Sequence, residues 1–142
     1  MVRTSTNHAR PLRVLVADDC EPLRKRVCSE LEEAGFTVVG EAADGAQALT
    51  QAAAYHPDVV LMDLRMPGMD GIEATRALRQ QHPSTPVVLW TGDDVAQLDR
   101  AIGKSGAQIG VLKGVDMARL ATTLQAVCCG YATKDARWYQ DG

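Results

Sequence analysis

Five polar positions close apolar runs in this 142-residue sequence. Asp18 and Asp19 follow RVLVA, Asp63 follows VVLM, Thr91 follows VVLW and Lys113 follows GVL. Gathered at one edge, three carboxylates would repel and raise one another's pKa unless a cation lay among them. A hard divalent ion with oxygen ligands meets that need. Magnesium uses one or two protein carboxylates, keeps several waters and accepts a phosphate oxygen. An aspartate held beside such an ion, with a hydroxyl and an ammonium near it, can attack phosphorus and carry an aspartyl-phosphate, its neighbours neutralising the equatorial oxygens. Pro67, Gly68 and Gly71, just behind Asp63, bend the chain so that backbone atoms can close in.

Such a gathering needs elements that all point their ends the same way. The apolar runs alternate with stretches of helical period. RVLVAD (13–18), TVVGEA (37–42), DVVLMD (58–63), PVVLWT (86–91) and GVLK (110–113) read as strands, the long apolar ones buried on both faces. The first helix opens at Glu21 and Pro22, turns Leu23, Val27, Leu31 and Ala34 inward and stops at Gly35. The second follows Asp44 and Gly45 and ends before Pro57, and the third covers residues 71–81 with Ile72 and Leu78 inward. Asp93 or Asp94 caps the fourth, whose inward face carries Val95, Leu98 and Ile102. Asp116 starts the fifth, which runs through Leu120, Leu124 and Val127 to near Gly130. Regular alternation predicts an α/β fold, a doubly wound five-stranded parallel sheet with right-handed crossovers. Open sheets of this kind carry ligands at the carboxyl ends of their strands, where all five polar positions fall. Glu41, in the second strand, has no assigned role.

Composition narrows the class. Apolar residues at 46% and charged residues at 23% are globular usage. A net charge of −3 with no basic stripe argues against direct nucleic-acid contact. The longest apolar runs hold four residues, far short of the ~20 that span a bilayer, and the polar start MVRTSTNHARP places the chain in the cytoplasm. Cys20, Cys28, Cys128 and Cys129 form no C-x-x-C pair and read as reduced thiols. Cys20 follows the acidic pair, but adjacent carboxylates make a sluggish thiol and disfavour a redox gate there. His8, His56 and His82 read as isolated surface residues. Trp90 reads as core, its indole N–H needing one acceptor.

DLRMPGMDG, with ADD upstream, TG after the fourth strand and LK at the fifth, resembles the response-regulator receiver domain of two-component signalling, over roughly residues 12 to 130. The resemblance implies a flavodoxin-like sheet order 2-1-3-4-5. It makes Asp63 the phosphoacceptor, loaded from a phosphohistidine on a sensor kinase or phosphotransfer protein that docks at the first helix. It gives Asp19 to Mg2+ directly and Asp18 to a metal-bound water, with the backbone carbonyl of Arg65 completing the protein's share. The Thr91 hydroxyl and Gly92 N–H meet the phosphoryl group, and Lys113 pairs with acceptor and phosphoryl alike. The expected organisation is a flexible segment over 1–11, a receiver over 12–130 and a tail or linker start over 131–142 that holds Trp138 and Tyr139. The expected role is a signalling module that acts on no outside metabolite, alone or as the front of a longer regulator. The segment LQAVCCGY resembles receivers fused to DNA-binding domains and leaves a transcriptional output open, as it does pairing of copies through the later helices.

Two positions depart from the family pattern. Gly110 stands where many receivers carry a Tyr or Phe that swings inward on activation, so a glycine there removes the usual switch and loosens a short edge strand. Lys113 is followed by Gly114 and Val115 in place of a proline, which predicts a freer loop. Arg65 either shields the acyl-phosphate from water or is a solvated loop residue. A magnesium-dependent phosphatase would place a D-x-D pair on one loop, unlike the tandem Asp18–Asp19 and distant Asp63. A dinucleotide site would need G-x-G-x-x-G where this chain has ADDCEP, whose carboxylates repel a pyrophosphate. A receiver-shaped binding module that is never phosphorylated is the remaining alternative, kept by Gly110.

Overall fold

A computed structural model of the chain describes residues 10–129, so His8, Trp138 and Tyr139 lie outside the described residues. Strands and helices alternate as β1 (Arg13–Ala17), α1 (Glu21–Glu33), β2 (Thr37–Ala42), α2 (Gly45–Tyr55), β3 (Val59–Asp63), α3 (Gly71–Gln81), β4 (Val87–Thr91), α4 (Val95–Ser105), β5 (Ile109–Leu112) and α5 (Met117–Cys128). Every element read from the sequence is present, with ends shifted by one or two residues: β1 stops at Ala17, β5 starts at Ile109, and α1 ends at Glu33, so that Ala34, read as inward, is its exposed C-cap.

Four helices begin on an aspartate whose side chain accepts the backbone N–H three residues on: Asp44, Asp70, Asp94 and Asp116. Each satisfies a donor that the first turn would otherwise leave unpaired, a contribution of about 1 kcal/mol. Asp94 takes the α4 cap, and Asp93 turns elsewhere. Helix α1 starts without such a cap, on Cys20, with Pro22 in its first turn.

The strands pair in parallel in the order β2-β1-β3-β4-β5. Helices α2, α3 and α4 cover one face, meeting Leu15, Val60, Met62 and Leu89; α1 and α5 cover the other, meeting Val14, Val16, Leu61 and Val88. Strand β3 lies at the centre and is buried at all five residues. Burial of each of its four apolar side chains contributes about 1.5–3 kcal/mol. That is the stability against which the strand can end on a buried carboxylate, an arrangement costing several kcal/mol when unpaired.

At the opposite end of β3, Asp58 ties down the start of the described chain: its Oδ2 accepts from Arg10 Nη1 at 2.9 Å and from the Arg13 N–H at 2.8 Å. Four side chains differ from the sequence reading. Glu41 is a paired residue, accepting from Arg24 Nε at 2.9 Å and Lys25 Nζ at 3.2 Å and so tying β2 to α1. His56 and His82 are not isolated, since their rings meet edge to face with centroids 6.4 Å apart. Trp90 is core, but its indole Nε1 finds no acceptor among the described residues.

Candidate functional site

Sheet order brings the ends of β1, β3, β4 and β5 to one edge. Asp18, just past β1, is fully buried, and its N–H donates to the Ala42 carbonyl at 2.9 Å. Its Oδ1 accepts from the Cys20 N–H at 2.9 Å, while Arg24 Nη1 donates to its carbonyl at 2.8 Å. Asp63, at the tip of β3, is 4% exposed. One oxygen each from Asp18, Asp19 and Asp63 lies within 4.8 Å of the others.

Lys113 reaches into this cluster from the end of β5. Its Nζ is 3.2 Å from Asp63 Oδ1 and 3.0 Å from Asp18 Oδ2. Burial pushes the Asp63 carboxyl up to about 6, with the Asp18 charge adding to the rise and Lys113 opposing it. Burial alone would lower the Lys113 pKa, but hydrogen bonding to Asp18 and the charges of both aspartates raise it, so the ammonium stays charged.

The donor set suits a hard cation. Three carboxylates converge and one ammonium touches two of them, which leaves net negative charge for a divalent ion to offset. Asp18 Oδ2 is buried and faces the Lys113 ammonium at 3.0 Å, an ion pair that leaves lone pairs on the oxygen unused. A buried carboxylate oxygen with one cationic neighbour can still accept from a water held by a cation.

The turn behind Asp63 is shaped as its composition predicts. Gly68 has φ +70°, in the region that favours glycine. A Cβ on Gly71 would overlap the Asp63 carbonyl oxygen, and the Gly71 N–H donates to the Leu64 carbonyl at 3.0 Å. Glycine there lets α3 begin hard against the acceptor strand.

Thr91, at the end of β4, is buried, and its Oγ1 accepts from the Asp93 N–H at 3.1 Å. Gly92 beside it faces open space. The Lys113 N–H donates to the Thr91 carbonyl at 2.7 Å, which links the ends of β4 and β5. Gly114 has φ +111° and the Val115 N–H donates to the Leu112 carbonyl at 3.3 Å, so the chain turns through glycine after Lys113. Arg65 is exposed and paired: its Nε donates to Asp93 Oδ2 at 2.6 Å.

Gly110 and Trp90 each make a contact across elements that the sequence reading did not give. A Cβ on Gly110 would meet Leu98 Cδ1 at 2.5 Å, because the α4 side chain occupies the space beside the glycine. No aromatic replaces residue 110 in sequence, yet Trp90 lies next to Lys113, whose Nζ stands 5.0 Å from the ring centroid. The signal for that contact was present in the strand alternation, which turns Trp90 to the α1/α5 face together with Val111, its partner across β4 and β5.

Comparison with known proteins agrees with this geometry. The response regulator receiver domain family matches residues 14–125. The response regulator GacA of Pseudomonas viridiflava is 37% identical over 120 residues, 84% of this chain and 56% of that protein. A protein-glutamate methylesterase/protein-glutamine glutaminase of Alkalilimnicola ehrlichii is 49% identical over 81 residues, 56% of this chain and 20% of that protein. The chain thus spans about half the length of the first relative and a fifth of the second. Among solved structures, a two-component response regulator of the LuxR family from Aurantimonas sp. superposes with a TM-score of 0.81 at 31% identity, covering 87% of this chain and 89% of that one. Fold, strand order and matched length converge: the chain belongs to the response regulator receiver domain family.

Proposed function

We propose that this receiver is loaded on Asp63 by a phosphohistidine donor, a sensor kinase or phosphotransfer protein. The observation that carries the reading is the cluster itself, with three carboxylate oxygens within 4.8 Å and the Lys113 ammonium 3.2 Å from Asp63. Asp19, Asp63 and the Arg65 carbonyl would hold Mg2+, with Asp18 positioned for a water on it. When bound, the ion neutralises the carboxylates and draws charge from phosphoryl oxygens.

An Asp63 oxygen attacks phosphorus, a P–O bond forms, and the P–N bond to the donor imidazole breaks with its electron pair returning to nitrogen. The Thr91 hydroxyl and Gly92 N–H receive one phosphoryl oxygen. Lys113 pairs with another while keeping Asp18 neutralised. Attack of water on phosphorus then breaks the P–O bond to Asp63, releasing inorganic phosphate and returning the carboxylate, so the chain acts on itself and on no outside metabolite.

Residues 12–130 form the receiver unit in this reading and 131–142 a tail or the start of a linker. Relatives that continue into a regulator or a methylesterase support an output carried by another domain or partner protein. The test is incubation with Mg2+ and acetyl phosphate followed by intact-mass measurement. One added phosphoryl group is expected, absent from Asp63→Asn and absent with a chelator. No labelling of the wild type, or labelling that survives Asp63→Asn, overturns the reading.

A further inference from the structure

A groove of about 350 Å³ runs between the loop after β3 and the outer face of α4. Leu64, Met66 and Ala101 are buried in its floor. Its rim carries three exposed cationic side chains, Arg100 and Lys104 on α4 and Arg65, whose charge is partly offset by its pair with Asp93. Gln97, Arg100 and Lys104 follow one another at three- and four-residue steps, so they form a single row along α4. The acidic residue lining the groove, Asp70, is engaged at the start of α3, where its Oδ1 accepts from the Glu73 N–H. Cations are thereby concentrated on one groove of a chain whose net charge is −3.

We propose that this groove docks an acidic segment of a partner protein, one apolar side chain on the Leu64/Met66/Ala101 floor and carboxylates along the α4 row. Charge complementarity points to the acidic character, since like-charged partners are rejected and opposite ones steered. The floor calls for an apolar anchor, and Met66 is a side chain that adapts to varied anchors. A folded-in metabolite is the poorer occupant, because ligand pockets bury most of a small molecule and this groove lies open along the helix. Occupancy adjoins the acidic cluster, for Leu64 and Arg65 directly follow Asp63.

The test uses the unphosphorylated chain, so it stands apart from the phosphoacceptor reading. The probe is a fluorescein-labelled peptide of alternating glutamate and leucine. Its glutamine counterpart and inorganic pyrophosphate serve as comparators. Expected are saturable binding, amide shifts confined to 64–72 and 97–104, and affinity at least about tenfold weaker in the Arg100→Glu/Lys104→Glu variant. Both positions are solvent-exposed, so thermal melting of the variant should match the wild type. No binding, equal binding of the glutamine peptide, shifts elsewhere, or displacement by pyrophosphate overturns the proposal, the last of these assigning the groove to small anions.

Discussion

Arg65 Nε donates to Asp93 Oδ2 at 2.6 Å and so fastens the loop that follows β3 to the loop that follows β4. Arg65 is otherwise exposed, with 69% of its side chain open to solvent, so the pair contributes at most about 1 kcal/mol to stability. Arg65 stands two residues after Asp63, and a shielding role for it there is open to a direct test. Arg65→Ala should leave the melting temperature nearly unchanged while speeding dephosphorylation of the loaded chain by about two- to tenfold. Decay of the phosphorylated species followed by mass measurement checks this; an unchanged rate refutes the shielding role.

Asp63 carries a pH signature. Its carboxyl sits at about 6 in the metal-free fold against 3.8 for the ordinary group. The native state therefore holds this proton more tightly than the unfolded chain. The stability so gained is present below pH 3.8 and is lost as pH rises through 6. Asp63→Asn cannot lose it. In metal-free buffer at pH 7 that variant should be more stable than the wild type by about 1–3 kcal/mol, with the gap closing toward pH 4. Added Mg2+ should raise the melting temperature of the wild type and not of the variant.

Among the described residues, Lys113 is the one ammonium in contact with Asp18 and Asp63. Removing it leaves a fully buried Asp18 carboxylate uncompensated. Lys113→Ala should cost about 2–4 kcal/mol in chelator-treated protein, less than a fully buried pair because Lys113 is partly exposed. Mg2+ should restore part of the loss, read from urea unfolding with and without the ion.

Gly110 and Leu98 form a steric pair. Gly110→Ala must displace Leu98, itself fully buried, and should destabilise by about 1–3 kcal/mol. Leu98→Ala opens a cavity and should cost about 2–5 kcal/mol. Together they should cost less than the sum by about 1 kcal/mol, since the new methyl enters the vacated space. With no ring at 110 to move, a beryllofluoride mimic should shift the β5 amides only slightly; a large two-state change there contradicts this.

Much of the architecture was legible because its causes are local. Asp44 before Gly45, Asp116 before the last apolar period and Gly35 after the first are signals that act within one helical turn. The convergence of Asp18, Asp19, Asp63, Thr91 and Lys113 was legible because parallel strands leave their carboxyl ends on one edge. What stayed hidden depends on contacts across elements. Glu41 has no local reason to pair with Arg24 and Lys25 on α1, and Leu98 has none to occupy the space beside Gly110. Arg65 could be placed on its loop but not aimed at Asp93, because long side chains choose partners only once the loops are set side by side.

The contact between Trp90 and Lys113 gives the chain a built-in optical gauge. An indole is sensitive to the charge beside its ring, and this one is the sole tryptophan among the described residues, with Trp138 as the second in the sequence. Replacing Trp138 by Phe would leave emission from residue 90 alone. Arrival of a cation or a phosphoryl group could then be timed by fluorescence, without dye or isotope.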